Sequence, residues 1–256
     1  MTGGGTGLAT DGLSAGYGKQ PVISDLALRV NPGQVVALLG PNGAGKTTTV
    51  LTLAGVLRPL AGQVTWDGRA WPASLTGRAR QGLGLVTERR CVFMRLTVAE
   101  NLALGRGPVR RAFELFPELE EHRNRQCGLL SGGQQQMLAL ARILASEPKA
   151  LVVDELSLGL APLIVERLLN VLRAAADQSG VAVLLVEQHL QHALRIADYG
   201  YVLGRGSLAL EGTRADLQSR GDDITAAYLA GKSRGARSGS TPGTPPASSA
   251  GAPEED

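Results

Sequence analysis

Cysteine is scarce in this chain: the 256 residues include only two, Cys91 and Cys127. Two cysteines cannot cross-link a chain of this size into a disulfide framework. The sequence also lacks a Cys-X-X-Cys pair and any set of cysteine and histidine with the spacing of a zinc site. We therefore expect both thiols to be reduced, which is the default in a cytosolic protein.

Long apolar runs and dense basic runs are absent as well. No stretch approaches the roughly 20 consecutive apolar residues of a membrane-spanning helix, and residues 1–7 have neither the charged nor the apolar region of a secretory signal. The net charge is +3, and arginines occur in isolated pairs such as Arg89-Arg90 and Arg110-Arg111. This pattern does not indicate a nucleic-acid groove, so nucleic acid is not an expected partner. Work at a membrane would require a membrane-embedded partner protein.

A glycine-rich run, by contrast, has the pattern G-x-x-x-x-G-K-[ST] of a phosphate-binding loop. The predicted ATP site consists of this run and the residue after it: Gly40, Pro41, Asn42, Gly43, Ala44, Gly45, Lys46, Thr47 and Thr48. Glycines let the backbone turn tightly and aim its N–H groups at an anion. In this pattern Lys46 reaches the β- and γ-phosphates, and the Thr47 hydroxyl binds Mg²⁺. The apolar run 35–39 predicts a buried strand before the loop, and residues 48–57 predict a helix after it.

Two carboxylates, Asp154 and Glu155, end a second apolar run, which predicts a strand over 150–154. In open α/β sheets, ligands bind beyond the carboxyl ends of the strands. We therefore expect Asp154 to hold Mg²⁺ together with Thr47, and Glu155 to orient or deprotonate the water that attacks the γ-phosphate. A solvated acidic pair would explain these carboxylates equally well if they stood alone, but the phosphate loop upstream favours the catalytic interpretation.

Alternating strand and helix patterns in the last third predict a parallel sheet covered by helices. The predicted elements are strands over 150–154, 181–186 and 199–203 and helices over 163–176 and 189–197. Residues 8–66 are rich in short strand patterns, and Asp67-Gly68 is a hairpin signal. Residues 97–145 have helical patterns, which begin with a capping box of Thr97 and Glu100.

Composition divides the chain into one folded domain over 8–231 and two flanking segments. Residues 1–7 are expected to be flexible. Residues 232–256 are rich in Gly, Ser, Pro and Ala and contain no aromatic or large aliphatic residue. Such a segment cannot bury enough apolar surface to offset the entropy of ordering, so we expect it to be disordered.

Residues 130–134, with the sequence Leu-Ser-Gly-Gly-Gln, precede a predicted helix. Ser131 is a good N-cap, and Gly132 and Gly133 leave the backbone N–H groups of the first turn open to a phosphate. Two glycines disfavour a helix, and a simple cap does not require them. This helix start therefore indicates an anion site. The apolar residues of the helix recur with a spacing that predicts one buried face: Met137, Leu140, Ala141 and Leu144.

With this run the chain resembles the ATP-binding cassette (ABC) ATPases, over residues from about 8 to 229. The resemblance implies an α/β fold: a P-loop NTPase core with a parallel sheet, an N-terminal antiparallel β subdomain, and an inserted helical subdomain at about 97–145. It also implies a head-to-tail dimer, in which each ATP lies between the Lys46 loop of one subunit and the signature residues of the other. The signature residues are Ser131, Gly132, Gly133 and Gln134. Tyr17 matches the aromatic residue that stacks on adenine, with an ordinary strand tyrosine as the alternative.

Residues 88–102, 157–162 and 185–188 look like the corresponding segments of branched-chain amino acid transport ATPases. This resemblance implies an ATP-hydrolysing importer subunit, peripheral on the cytoplasmic face of the cell membrane, with ATP and Mg²⁺ as cofactors. The implied partners are integral membrane permease subunits, a second cassette that is a copy or a paralogue, and, indirectly, a solute-binding protein. Glu88 takes the position that reaches toward Mg²⁺, where glutamine is usual in ABC proteins at large.

Other functions stay open at this point. Importers of urea or short amides share nearly the same patterns, so the sequence leaves the solute open. A soluble ABC ATPase that acts outside transport is a further alternative, although the single cassette and the lack of a coiled-coil insertion speak against the known kinds. A non-hydrolysing regulatory cassette is another, although Lys46, Ser131 and Glu155 are all intact.

Several positions bear on loop geometry and on the switch that senses the γ-phosphate. Thr87, Arg89 and Leu156 stand where the family has proline, glycine and proline, which removes no chemical group but affects the loops. Counted back from the Ala-Asp pair at 197–198, the switch position falls on Gln188, whose amide can donate to a phosphate oxygen. A match by residue type would place His189 there instead.

Overall fold

The computed structural model describes residues 7–87 and 91–232. These ranges contain ten strands: β1 (Leu8–Tyr17), β2 (Gln20–Val30), β3 (Val35–Leu39), β4 (Ala61–Trp66), β5 (Arg69–Ala70), β6 (Leu83–Val86), β7 (Ala150–Asp154), β8 (Ala182–Glu187), β9 (Tyr199–Gly204) and β10 (Ser207–Thr213). The same ranges contain nine α-helices: α1 (Lys46–Ala54), α2 (Leu75–Arg80), α3 (Val98–Ala103), α4 (Val109–Leu115), α5 (Gly132–Leu144), α6 (Pro162–Ser179), α7 (Leu190–Leu194), α8 (Arg214–Ser219) and α9 (Gly221–Lys232). Two 3₁₀ turns lie at Pro117–His122 and Cys127–Leu129.

The larger sheet has the strand order β10-β9-β3-β8-β7-β6. Neighbours from β9 to β6 pair in parallel, and β10 pairs antiparallel with β9. Strands β3 and β7 are buried along their whole lengths, as expected for parallel strands that are covered on both faces. The α/β fold with a parallel sheet is therefore confirmed, and so are the strands predicted over 35–39 and 150–154.

The strand register brings the ends of β3, β7 and β8 to one edge of this sheet. Leu39 at the end of β3 pairs with Glu187 at the end of β8, and Asp154 at the end of β7 pairs with Val186. Because the three strands are parallel, the residues that follow them lie side by side at the carboxyl edge.

The smaller sheet is antiparallel, with the order β2-β1-β4-β5. The predicted hairpin is present: Asp67 and Gly68 join β4 to β5 with φ of 50° and 73°. Positive φ at both central residues is typical of a type I′ turn, which matches the twist of the paired strands. The antiparallel N-terminal part that the resemblance implied is thus present in the fold.

Alternate residues of β3 face two hydrophobic cores. Val35, Ala37 and Leu39 pack into one core together with residues of α5 and α6. Val36 and Leu38 pack into the other, together with residues of β1, β2 and α1. The phosphate loop thus follows a strand that is held on both faces.

The region between β6 and β7 is helical and contains α3, α4, both 3₁₀ turns and α5. Its predicted capping box is present: Thr97 Oγ1 accepts from the Glu100 N–H at 3.2 Å, and Glu100 Oε2 accepts from the Thr97 N–H at 2.7 Å. The buried face predicted for α5 is confirmed, and burial extends beyond it, because Gln136, Leu138 and Ala139 are also buried. Helix α5 contacts α3, α4, α6 and β6, so it is covered on several sides.

Three helices differ in length from their predicted spans. Helix α1 spans Lys46–Ala54 instead of 48–57, because Gly55 adopts a φ of 76° and ends the helix with a left-handed cap. Helix α6 continues past the predicted end at 176 to Ser179, where Gly180 caps it in the same way with a φ of 68°. Helix α7 is shorter than the predicted span 189–197.

His189 is the N-cap of α7, and the helix ends at Leu194. The chain then turns into β9, because the Asp198 N–H donates to the Val35 carbonyl at 2.8 Å and its carboxylate accepts from the Val35 N–H at 2.8 Å. Strand β8 spans Ala182–Glu187, one residue later than predicted. Glu187 is therefore the last strand residue, and Gln188 is the first residue beyond the sheet edge.

Candidate nucleotide-binding site

The phosphate loop lies between the end of β3 and the start of α1, as the sequence predicts. Gly45 has a φ of 104°, and a Cβ added to it would lie 2.4 Å from Ile23 Cγ2. A Cβ added to Gly40 would lie 2.8 Å from the Leu203 carbonyl oxygen. Gly45 is also the N-cap of α1 and has no side chain to cap the first N–H groups of that helix. A tight loop that leads into an uncapped helix start is a favourable place for an anion.

Lys46 is folded over this loop and is only 5% exposed. Its Nζ donates to the carbonyl oxygens of Gly40 at 2.9 Å and Pro41 at 3.3 Å, and it lies 3.9 Å from Glu155 Oε1. Burial lowers the pKa of Lys46, while the nearby carboxylates of Glu155, Asp154 and Glu187 oppose that shift. One cation is thus surrounded by loop carbonyls and by carboxylates from two neighbouring strand ends.

The other loop residues differ in their exposure. Asn42, Gly43 and Thr47 are exposed, whereas Pro41, Ala44 and Thr48 are buried. Thr48 contributes to the packing of α1, where its carbonyl accepts from Thr52 Oγ1 at 2.7 Å. Of the loop hydroxyls, that of Thr47 is therefore the one placed to meet a ligand from solvent.

Asp154 and Glu155 lie at the carboxyl end of β7, but in different surroundings. Asp154 is buried within the strand end, whereas the Glu155 side chain is 23% exposed. Glu155 adopts a φ of 49°, in the left-handed region that residues with a Cβ rarely occupy. Its N–H donates to the Val186 carbonyl at 2.9 Å, which holds this backbone conformation in place. Strain at a carboxylate next to a lysine is typical of functional sites.

Glu187 is a third carboxylate at this edge, and the sequence analysis assigned it no role. It is 1% exposed, and its carboxylate accepts from the Ser157 N–H at 3.1 Å and from Ser157 Oγ at 2.9 Å. Burial raises the pKa of Glu187, and the two hydrogen bonds from Ser157 act against the rise. An acidic residue that ends an apolar strand was the signal that identified Asp154, and it applies equally to Glu187.

The structure confirms Ser131 as the N-cap of α5 and adds a reciprocal bond. Ser131 Oγ accepts from the Gln134 N–H at 3.3 Å, and Gln134 Oε1 accepts from the Ser131 N–H at 3.0 Å. Gln134 Nε2 also lies 2.7 Å from His122 Nε2. A Cβ added to Gly133 would lie 2.9 Å from Ile164 Cγ2, so packing against α6 explains one of the two glycines. Within the described residues, these side chains form no hydrogen bond with the phosphate loop of the same chain.

The remaining predicted residues lie on the rims of the site. Tyr17 ends β1 and is 58% exposed, so it is not a core tyrosine. Gln188 is half-buried directly after β8, and its carbonyl accepts from the Tyr228 hydroxyl at 3.2 Å. His189 is exposed, with its ring 5.5 Å from that of His192. Glu88, the predicted third magnesium ligand, lies outside the described residues.

The departures from the family pattern have separate outcomes. Leu156 is 1% exposed and packs in the core that contains residues of α5 and α6, so it fills space in that core where the family has a proline. Thr87 Oγ1 lies 3.6 Å from Cys91 Sγ at the rim of the described chain. Arg89 lies outside the described residues. The consequence of Leu156 is thus extra packing behind the strand that carries Asp154.

Comparison with known proteins gives one consistent result. The family described as ABC transporter matches residues 23–157. The high-affinity branched-chain amino acid transport ATP-binding protein BraG of Pseudomonas aeruginosa is 39% identical, over 88% of this chain and 100% of BraG. The lipopolysaccharide export system ATP-binding protein LptB of Haemophilus influenzae is 32% identical, over 87% of this chain and 96% of LptB. A solved ATP-binding subunit of an ABC transporter superposes with a TM-score of 0.76 at 28% identity, over 88% of this chain and 98% of that one.

Proposed function

Because the chain belongs to the ABC transporter family of ATPases, we propose that it is the ATP-hydrolysing subunit of an importer for branched-chain or related amino acids. The nucleotide binding and the ATPase activity follow from the family. The contact between Lys46 and Glu155 at the sheet edge is the structural observation that carries the hydrolytic site. The similarity to BraG along its whole length supports the direction and the class of solute.

We assign the phosphate loop to the β- and γ-phosphates of ATP. The loop N–H groups and the start of α1 stabilise negative charge, and Lys46 adds a full positive charge. Hydrogen bonds to the Gly40 and Pro41 carbonyls keep the ammonium group over the loop. The exposed ring of Tyr17 is assigned to stack on adenine.

Mg²⁺ fits the oxygen donors at the same edge. Thr47 is exposed at the start of α1, and Asp154 ends the strand that lies next to β8. Hydroxyl and carboxylate oxygens are the kind of ligand that Mg²⁺ takes in proteins. Bound by Thr47 and Asp154, Mg²⁺ would supply positive charge that stabilises the phosphates of ATP during hydrolysis. Glu88 keeps its assignment as a further ligand on the resemblance alone.

We assign Glu155 to the water that attacks the γ-phosphate. Its partly exposed carboxylate lies 3.9 Å from Lys46 Nζ, so it is open to water and adjacent to the phosphate site. A carboxylate in this place can orient the water or accept its proton. Gln188 follows the strand next to β3, and we assign its side-chain amide to donate to a γ-phosphate oxygen.

In this proposal a second cassette, a copy or a paralogue, completes each ATP site in a head-to-tail dimer. The signature residues Ser131–Gln134 form their side-chain bonds with one another and with His122, and Ser131 is exposed. Leu163, at the start of α6, is 79% exposed, and its neighbour Ile164 packs against Gly133. An exposed leucine beside a helix start with glycines is suited to burial against another subunit.

The proposed membrane partner is a pair of permease subunits. In the described ranges, no helix is long and apolar enough to cross a bilayer. Phe93 and Met94 are 55% and 50% exposed and belong to residues 88–102. The resemblance of this segment to the branched-chain amino acid transport ATPases implies that it touches the permease. We therefore place the chain on the cytoplasmic face of the membrane, held there by the permease, with a solute-binding protein acting from the other side.

Export is the second candidate function, because the lipopolysaccharide exporter subunit LptB is also 32% identical to this chain. The two functions differ in whether a solute-binding protein stimulates ATP hydrolysis. The test is to purify the tagged chain with its permease and reconstitute the complex in liposomes. ATPase activity and uptake are then measured with a solute-binding protein that carries leucine, urea or no solute.

Stimulation and uptake with leucine support the proposed solute class, and stimulation with urea alone moves the assignment to urea or amide importers. ATP hydrolysis that is stimulated by none of the solute-binding proteins supports export. A chain that hydrolyses ATP but never co-purifies with a permease would support an ABC ATPase outside transport. The Glu155→Gln complex serves as the control for transport that does not depend on hydrolysis.

A further inference from the structure

The hydroxyl of Tyr228 reaches the nucleotide site from the last described helix. Tyr228 lies on α9, packs against the hydrophobic core that contains residues of α5 and α6, and donates a hydrogen bond of 3.2 Å to the Gln188 carbonyl. The two residues are 40 positions apart in the chain. The sequence analysis gave Tyr228 no role, and it lies well beyond residues 23–157, which match the family.

The surroundings of this hydroxyl favour its protonated form. Burial raises the pKa of Tyr228 to about 12, and the nearby backbone N–H of Gly40 acts against the rise. The carboxylate of Glu187 adds a smaller upward contribution. The phenol is thus neutral at physiological pH, so it keeps the proton that it donates to the Gln188 carbonyl.

Strand register places the hydrogen-bond partner of this hydroxyl beside the phosphate loop. Leu39 pairs with Glu187, so Gly40 and Gln188 are the first residues beyond two neighbouring strands. Helix α9 packs against β9, and β9 pairs with β3. The helix therefore lies over the edge where the phosphate loop and the switch segment leave the sheet.

We propose that Tyr228 is a positioning residue for ATP hydrolysis, whose hydroxyl holds the Gln188 carbonyl and so sets the switch side chain against the γ-phosphate end of the loop. The inference rests on the proposed role of Gln188. A tyrosine that only anchored α9 would need its ring and not its hydroxyl, so replacing tyrosine by phenylalanine separates the two roles.

The experiment compares Tyr228→Phe with Tyr201→Phe. The Tyr201 hydroxyl is also buried and accepts from a backbone N–H, that of Arg29, at 3.0 Å, but it lies in β9 away from the loop. Steady-state hydrolysis and equilibrium binding of ATP and ADP are measured for both variants. Tyr228→Phe should lower kcat about three- to ten-fold, the scale of one hydrogen bond. The KM for ATP and the affinity for ADP should change less than about two-fold, because the switch acts on the γ-phosphate step. Tyr201→Phe should keep the wild-type kcat.

Coupling to the switch is tested in the Gln188→Ala background. If Tyr228 acts through the Gln188 side chain, adding Tyr228→Phe to Gln188→Ala should lower kcat no further. The inference is overturned if Tyr228→Phe hydrolyses ATP like the wild type, or if it lowers kcat by the same factor with and without Gln188. If Gln188→Ala alone retains full activity, the proposed switch assignment fails and the route through Tyr228 fails with it. Slow Gln188→Ala together with normal Tyr228→Phe refutes the inference alone and leaves the proposed function standing.

Discussion

Lys46 Nζ lies 3.9 Å from Glu155 Oε1, a contact between the phosphate loop and the carboxyl end of β7, across 109 residues of chain. Both residues are held in locally unfavourable states. Burial lowers the pKa of Lys46, and Glu155 adopts a positive φ that is rare for a residue with a Cβ. Neighbouring groups offset both costs. The nearby carboxylates oppose the lowering of the Lys46 pKa, and the Val186 carbonyl accepts a hydrogen bond that holds the Glu155 backbone. The same contact predicts how the site responds when either side chain is removed.

Lys46→Ala is expected to abolish ATP hydrolysis and to weaken nucleotide binding greatly. The change removes the ammonium group that lies over the loop and leaves neighbouring carboxylates to repel the phosphates. Equilibrium binding of a fluorescent ATP analogue measures the effect. Lys149→Ala is the matched control, since Lys149 is exposed just before the opposite end of the same strand β7. Wild-type affinity in Lys46→Ala would refute the assignment of the loop.

Glu155→Gln is expected to bind ATP but to hydrolyse it more slowly by about 10²-fold or more, the scale of a lost general base. ATP that is not hydrolysed should keep the proposed dimer closed, which size-exclusion chromatography with and without Mg-ATP detects. Glu114→Gln is the control, because Glu114 forms an exposed pair with Arg110 that contributes little. Rapid turnover by Glu155→Gln would mean that another group activates the water.

Glu187→Ala is expected to destabilise the fold by about 1–3 kcal/mol, because it leaves the Ser157 N–H and hydroxyl buried without their acceptor. Glu187→Gln should retain most of the stability, since its amide can accept from the Ser157 N–H and donate to Ser157 Oγ. Denaturant unfolding measures both variants. In a Ser157→Ala background the penalty of Glu187→Ala should shrink. An undiminished penalty there would show that the Ser157 contacts are not its source.

Glu187→Gln should also change how stability depends on pH. Burial raises the pKa of Glu187 in the folded state above the ordinary glutamate value of 4.5, so the folded state holds this proton more tightly than the unfolded state does. The resulting stabilisation is present below pH 4.5 and is lost as pH rises through the raised pKa. The stability of Glu187→Gln relative to the wild type should therefore rise across that window, and a constant difference would contradict the prediction.

Removal of residues 233–256 is expected to leave ATPase activity unchanged. Their composition of Gly, Ser, Pro and Ala, with an acidic end at 254–256, predicts no packed structure. The truncated chain keeps α9, which ends at Lys232 and carries Tyr228. Steady-state hydrolysis and thermal unfolding of the truncated and full chains are compared, and lower activity or stability would show that the segment packs against the domain.

Gln188→Ala is expected to slow hydrolysis more than His189→Ala does. Gln188 is half-buried directly after β8, whereas His189 is exposed at the N-cap of α7. The two adjacent side chains are compared in the same steady-state assay. If His189→Ala is the more damaging change, the switch position lies one residue further along the chain than we assign it.

Contiguous patterns were enough to predict the phosphate loop, the carboxylates after β7, the hairpin at Asp67-Gly68 and the capping box at Thr97. In each case the physical cause lies within a few neighbouring residues: a positive φ that glycine tolerates, a strand that ends in an acid, or a side chain that caps the helix it begins. The α/β class followed from the same kind of pattern, because alternating strands and helices leave few arrangements.

Only the tertiary structure shows which groups meet at the sheet edge. Ser157 and Glu187 are 30 residues apart, and Gln188 and Tyr228 are 40 apart, so no periodicity in the sequence connects them. Their contacts depend on the parallel order of β7, β8, β3 and β9, which sets the strand ends side by side. The coverage of α5 on several sides and the early end of α7 have the same origin, since packing against neighbours overrides local helix patterns. The sequence by itself thus determined the chemical groups of the site, while strand order and register decided which of them act on one another.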